Sequence, residues 1–229
     1  MPPSVENASP GGFWVGADSD VEEVIAIIGE NGLFYFLAGR FREGSGLVAV
    51  TNGEFVHGKF LLPNEDRFKF PNEELSTDCN LNGSVAERQS MILDVKCKAV
   101  EDQQVLTTLT LNYDTRYERD SSLATITGNY TYTVGMVLSI DANGEVFGQD
   151  AVTGCVINGQ VTIIDMAFNL YGIEWSNISC AGQDSELNGK VLSGLALLDN
   201  TVIPEQLIIA VSSNVDSGFI SIISFAARL

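Results

Sequence analysis

Six Asn-Gly dipeptides punctuate the chain: Asn31-Gly32, Asn52-Gly53, Asn82-Gly83, Asn143-Gly144, Asn158-Gly159 and Asn188-Gly189. Asn-Gly fills two-residue hairpin turns because both residues tolerate positive φ. The runs beside them are strand-like. Val24-Ile25-Ala26-Ile27-Ile28 precedes the first dipeptide and Leu33-Phe34-Tyr35-Phe36-Leu37 follows it. Met136-Val137-Leu138-Ser139-Ile140 precedes the fourth, and Glu145-Val146-Phe147 follows it. This pattern predicts an all-β fold, an antiparallel meander of hairpins that forms one or two barrels or a sandwich. Helical periodicity is nearly absent; its best candidate is 71–77, and alternation is clear over 107–112 and 168–178.

The organisation reads as a flexible tether over 1–12, a β unit over 13–113, a linker or long loop over 114–122, and a second β unit over 123–229. The halves resemble each other. Gly12-Phe13-Trp14 and Gly128-Asn129-Tyr130 open them, Glu30-Asn31-Gly32 matches Ala142-Asn143-Gly144, and Gly46-Leu47-Val48 matches Gly154-Cys155-Val156.

Four cysteines, Cys79, Cys97, Cys155 and Cys180, are widely spaced with no Cys-x-x-Cys pair, which fits structural disulfides from an oxidising compartment rather than a zinc site. Three pairings are open, and the pairing within halves is favoured because it joins neighbouring strands. Thirty acidic against twelve basic residues give a net charge of −18, which repels nucleic acid and anionic membranes. No apolar run is long enough for a transmembrane helix, and the strands are short and interrupted by acids, unlike those of a membrane barrel.

The second half carries Leu123-Ala124-Thr125-Ile126-Thr127-Gly128-Asn129-Tyr130, Leu138-Ser139-Ile140-Asp141-Ala142-Asn143-Gly144, Gly154-Cys155 and Cys180. It resembles an uncharacterised group of bacterial exported lipoproteins, with their Gly-x-Tyr/Trp opening, Asp-x-Asp/Asn-Gly hairpin and Gly-Cys strand. The resemblance implies a β barrel in the bacterial envelope (periplasmic, outer-membrane-associated or extracellular) and no activity. The expected precursor then carries an export signal, or a lipid-modified cysteine ahead of the tether.

No chemical motif stands out. His57, the single histidine, has no Gly-x-Ser-x-Gly elbow to serve. Asp18, Asp20 and Glu22 offer a weak calcium candidate that lacks the glycine and closing glutamate of an EF-hand loop. No cofactor is expected. The inward candidates mix large residues (Phe34, Phe36, Tyr130, Trp175) with small ones (Ala26, Gly148, Ala196), as a barrel with a filled axis does. The reading is therefore a non-catalytic envelope or secreted module that acts through its surface, with a protein partner or with itself through edge strands. The alternatives are a small apolar ligand or carbohydrate in a barrel pocket, and a hydrolase using a carboxylate pair.

Overall fold

A computed structural model describes residues 8–19, 22–38, 42–63, 76–98, 104–132, 135–151, 154–215 and 218–229. The chain divides into two compact units, 1–115 and 116–229, and each is a closed antiparallel barrel of eight strands. The first holds β1 (Gly12–Ala17), β2 (Glu23–Ile28), β3 (Leu33–Ala38), β4 (Arg42–Thr51), β5 (Phe55–Pro63), β6 (Ser76–Ala86), β7 (Ser90–Lys98) and β8 (Gln104–Asp114). Successive strands pair, and β8 returns to β1 with Asp114 opposite Phe13.

A 3-10 turn, Thr115–Glu118, runs across the boundary, and one turn of helix, α1 (Leu123–Ile126), follows in the second unit. It continues through β9 (Gly128–Thr131), β10 (Met136–Ile140), β11 (Glu145–Asp150), β12 (Val156–Ile163) and β13 (Tyr171–Ser179). A second 3-10 turn, Gly182–Leu187, precedes β14 (Leu192–Asp199), β15 (Gln206–Val215) and β16 (Gly218–Arg228). Here β16 returns to β9, with Arg228 opposite Tyr130.

Period-two burial drives both closures. On β7, Met91, Leu93, Val95 and Cys97 are buried while Ile92, Asp94 and Lys96 between them are exposed. An eight-stranded barrel is just wide enough for such side chains to fill. The seven inward candidates (Ala26, Phe34, Phe36, Tyr130, Gly148, Trp175, Ala196) are all buried, and apart from Gly148 they lie in the two apolar core clusters. Apolar side chains thus fill the interiors, the reverse of a water-filled membrane barrel. Each large buried side chain contributes roughly 1.5–3 kcal/mol.

Four of the six dipeptides lie in turns. Asn52 and Gly53 both have positive φ, 53° and 86°, as a type I′ turn requires. The other two do not turn the chain: Asn82-Gly83 lies inside β6 and Asn158-Gly159 inside β12. Their glycines serve close approach, since a Cβ on Gly83 would stand 1.9 Å from the Ile92 carbonyl oxygen and one on Gly159 2.0 Å from that of Glu174.

The halves match, in a corrected register. Val48 donates its N–H to the Gly32 carbonyl at 2.9 Å, and Val161 does the same to Gly144 at 2.7 Å. Counting back two residues from each valine pairs Gly46 with Gly159, not with Gly154. The disulfides have no such equivalence. Cys79–Cys97 joins the sixth and seventh strands of its barrel, whereas Cys155–Cys180 joins the start of the fourth strand to the end of the fifth in the other.

Three segments differ from the sequence reading. Within the expected tether 1–12, Pro10 and Gly11 are buried and Ala8 donates its N–H to the Gly53 carbonyl, while 1–7 lie outside the described residues. Within 114–122, Tyr117 is wholly buried and stacks on Phe168 with centroids 4.8 Å apart, so this stretch belongs to the packing of the second barrel. Of the helical candidate 71–77, residues 71–75 lie outside the described residues and 76–77 open β6. Barrel closure also pairs β1 with β8 and β9 with β16, the first and last strands on which self-association through edges was expected to rely.

Candidate functional site

A polar network closes one end of the second barrel. Ser122 caps α1, accepting the Thr125 N–H on its hydroxyl at 3.1 Å. The Tyr130 hydroxyl donates to the Ile126 carbonyl at 2.6 Å, and the Tyr171 hydroxyl donates to the Ser122 carbonyl at 3.2 Å. Arg228, from the last strand, lies over the Tyr130 ring at 5.3 Å from its centroid. Its Nη2 donates to the Tyr130 hydroxyl at 2.7 Å and to the Thr125 carbonyl at 2.5 Å, and its Nη1 meets Glu205 at 2.9 Å. Burial raises both tyrosine pKa values, although Arg228 pulls Tyr130 back part of the way. This is a latch that fastens the first and last strands to α1.

A second polar hub holds the loops beside the latch. Asn169 is buried, and its Nδ2 donates to the carbonyls of Leu198 and Arg116 at 2.8 and 2.9 Å. Arg119 Nη2 reaches the Asn169 side-chain oxygen and the Leu198 carbonyl, both at 3.3 Å. Arg116 pairs with Asp199 at 2.5 Å. Burial alone would raise the Asp199 pKa, but the Thr201 hydroxyl and N–H and the Arg116 guanidinium together outweigh it and hold the carboxyl below its ordinary range. A depressed carboxyl stabilises the fold above the unfolded-state pKa, and that contribution fades as pH falls through the native value. Urea unfolding of Asp199→Asn should accordingly show a lower stability at neutral pH and a shallower loss on acidification than the unaltered protein; identical acid limbs would refute the role.

The sequence-selected residues are scattered. The cysteines pair as Cys79–Cys97 and Cys155–Cys180, each within one barrel, which points to an oxidising compartment. His57 is exposed on β5 between Ala49 and Asn82 of the neighbouring strands. Asp18 uses its carboxylate to accept the Glu22 N–H at 2.9 Å and so closes the β1–β2 hairpin; Glu22 is exposed, and Asp20 lies outside the described residues. Among the described residues, no group of three or more His, Cys, Asp or Glu side chains converges as metal ligands would. No helix among them is long and apolar enough to cross a membrane.

The sequence reading missed Arg228, Glu205, Asn169 and Arg119. Tyr130 was singled out, but its partner lies 98 residues away and carries no local signal.

Fold and latch define a double up-and-down β-barrel protein with one disulfide in each barrel. No known protein family matches the chain, and no curated protein matches it.

Proposed function

We propose that this protein is a non-catalytic binding module, exported to the bacterial envelope or beyond, that engages a protein partner through loops at the latched end of its second barrel. One observation carries the reading. Ile164 and Met166 on the β12–β13 loop are 48% and 70% exposed, and Val202 and Ile203 on the β14–β15 loop are 37% and 99% exposed. Apolar side chains presented to water contribute little to folding, and a group of them on loops marks a contact surface.

The loops are held in place. Asn169 ties the first to Leu198 at the end of β14, and Met166 accepts the Ser121 N–H at 3.0 Å. A surface organised before binding loses less entropy when a partner docks. The disulfides support an oxidising compartment, and the resemblance of the second half to exported bacterial lipoproteins supports the envelope and a lipid-anchored precursor. The charge of −18 disfavours nucleic acid and anionic membranes as partners.

Site-specific photo-crosslinking in cells that export the protein tests this. A crosslinker at 166 or 203 should trap one discrete protein, whereas the same probe at Glu174, exposed on β13, should not. Paired Met166→Ser and Ile203→Ser changes should leave stability within about 0.5 kcal/mol and weaken capture roughly tenfold or more. Equal trapping from 174, or none from 166 and 203, would sink the proposal.

A further inference from the structure

Among the described residues, five buried side-chain donors of the second unit meet no acceptor, and two of them, on Trp175 and Tyr132, belong to residues of its apolar core or packed against it. Trp175 is 4% exposed and its Nε1–H meets no acceptor, and the Tyr132 hydroxyl is likewise buried without one. The other tryptophan, Trp14 in the first barrel, is satisfied: it gives its Nε1–H to the Pro10 carbonyl at 3.1 Å. Native interiors pair almost all of their buried polar groups, so two donors that the described residues leave open in one core point to an acceptor supplied to them.

Their positions agree. On β13 the inward residues run from Tyr171, tied to Ser122, through Ile173 to Trp175. On the other wall they run from Tyr130 on β9, tied to Ile126, to Tyr132 just past its end. Both donors therefore lie beyond the latched layer, towards the end that carries Cys155–Cys180. In the ring of eight, β9 and β13 are four strands apart, so the donors project from opposite walls. Around them the core is apolar, with Met136, Ile157, Ile178 and Leu192.

The wall also has a position without a side chain. At Gly148 the Met136 Cε and the Leu138 Cδ1 each lie 3.2 Å from where a Cβ would stand, so these two chains fill the place. Methionine is the core side chain best able to swing aside, having an unbranched, flexible stem. Burial raises the Tyr132 pKa, so its hydroxyl keeps its proton and remains a donor.

We propose that this half of the second barrel binds a small, uncharged, largely apolar molecule bearing a carbonyl oxygen. The oxygen accepts from Trp175 Nε1–H and Tyr132 O–H, and the apolar remainder takes the space that Met136 vacates. A charged ligand is disfavoured by the apolar lining and, if anionic, by the charge of −18. This site is separate from the loop surface proposed above, and either can fail without the other.

Proton–nitrogen correlation spectra test it directly, because the two tryptophans give two indole signals. Titration with methyl heptyl ketone should move the Trp175 indole signal saturably and leave that of Trp14 in place. Nonane, which has the same apolar bulk but no acceptor, should bind more weakly. Trp175→Phe and Tyr132→Phe should each weaken ketone binding roughly three- to tenfold, the loss of one neutral hydrogen bond. Absence of saturable binding would overturn the proposal. Equal affinity for ketone and nonane, or unchanged affinity in both variants, would overturn it as well.

Discussion

Replacing Trp14 with alanine is expected to destabilise the first barrel by about 3–5 kcal/mol. The side chain is fully buried and packs edge-on against Tyr113, with centroids 5.4 Å apart and planes at 76°. Its indole N–H satisfies the Pro10 carbonyl, so it fastens the segment before β1 to the core. Gly12 is shaped to it: a Cβ there would stand 2.7 Å from the Trp14 Nε1. Alanine leaves a cavity that a closed ring of eight strands can collapse only in part. Phenylalanine keeps an aromatic ring and loses the hydrogen bond, so it should cost roughly 1–2 kcal/mol. Denaturant unfolding of the two variants checks both figures. A loss below about 1 kcal/mol for alanine would mean that the core relaxes around the gap.

Removing a disulfide is the other large effect. The bridges span 18 and 25 residues of sequence, and chain entropy assigns each about 3 kcal/mol. Their local consequences should differ. Cys79 and Cys97 are direct partners in the β6–β7 ladder, so paired alanines there remove a crosslink from strands that remain hydrogen-bonded. Cys180 also exchanges two hydrogen bonds with the Asn188 side chain, at 2.5 and 3.1 Å, just past the Gly182–Leu187 turn. Loss of Cys155–Cys180 should therefore lower global stability and also raise amide exchange across 180–190, whereas loss of Cys79–Cys97 should leave that exchange unchanged. Hydrogen exchange with mass readout separates the cases. Equal protection of 180–190 in both variants would show that the bridge does not hold the turn.

Local features of the chain determined the strands and most of the turns. Alternation over 107–112 falls within β8, and that over 168–178 covers β13 from Tyr171 onward, because a half-buried strand must expose every second residue. Asn52-Gly53 was readable as a hairpin because its two positive φ values are demands that those residue types meet with little strain. Asn82-Gly83 and Asn158-Gly159 were misread for a related reason. Glycine answers both a turn's demand for positive φ and a strand's demand for close backbone approach, and only the neighbouring strand tells which applies. The same ambiguity led Gly154, rather than Gly159, to be matched with Gly46.

Only the tertiary structure decided closure. A sandwich and a barrel share one alternation pattern, and they differ in whether β8 finds β1 and β16 finds β9 across most of each unit. Arg228 became the partner of Tyr130 only when that seam formed, and Glu205 and Thr125 came within reach with it. The contrast between the tryptophans has the same origin. The inward placement of Trp175 followed from its pattern, but that Pro10 meets one indole N–H while the other meets no acceptor among the described residues depends on what the completed ring brings to each wall.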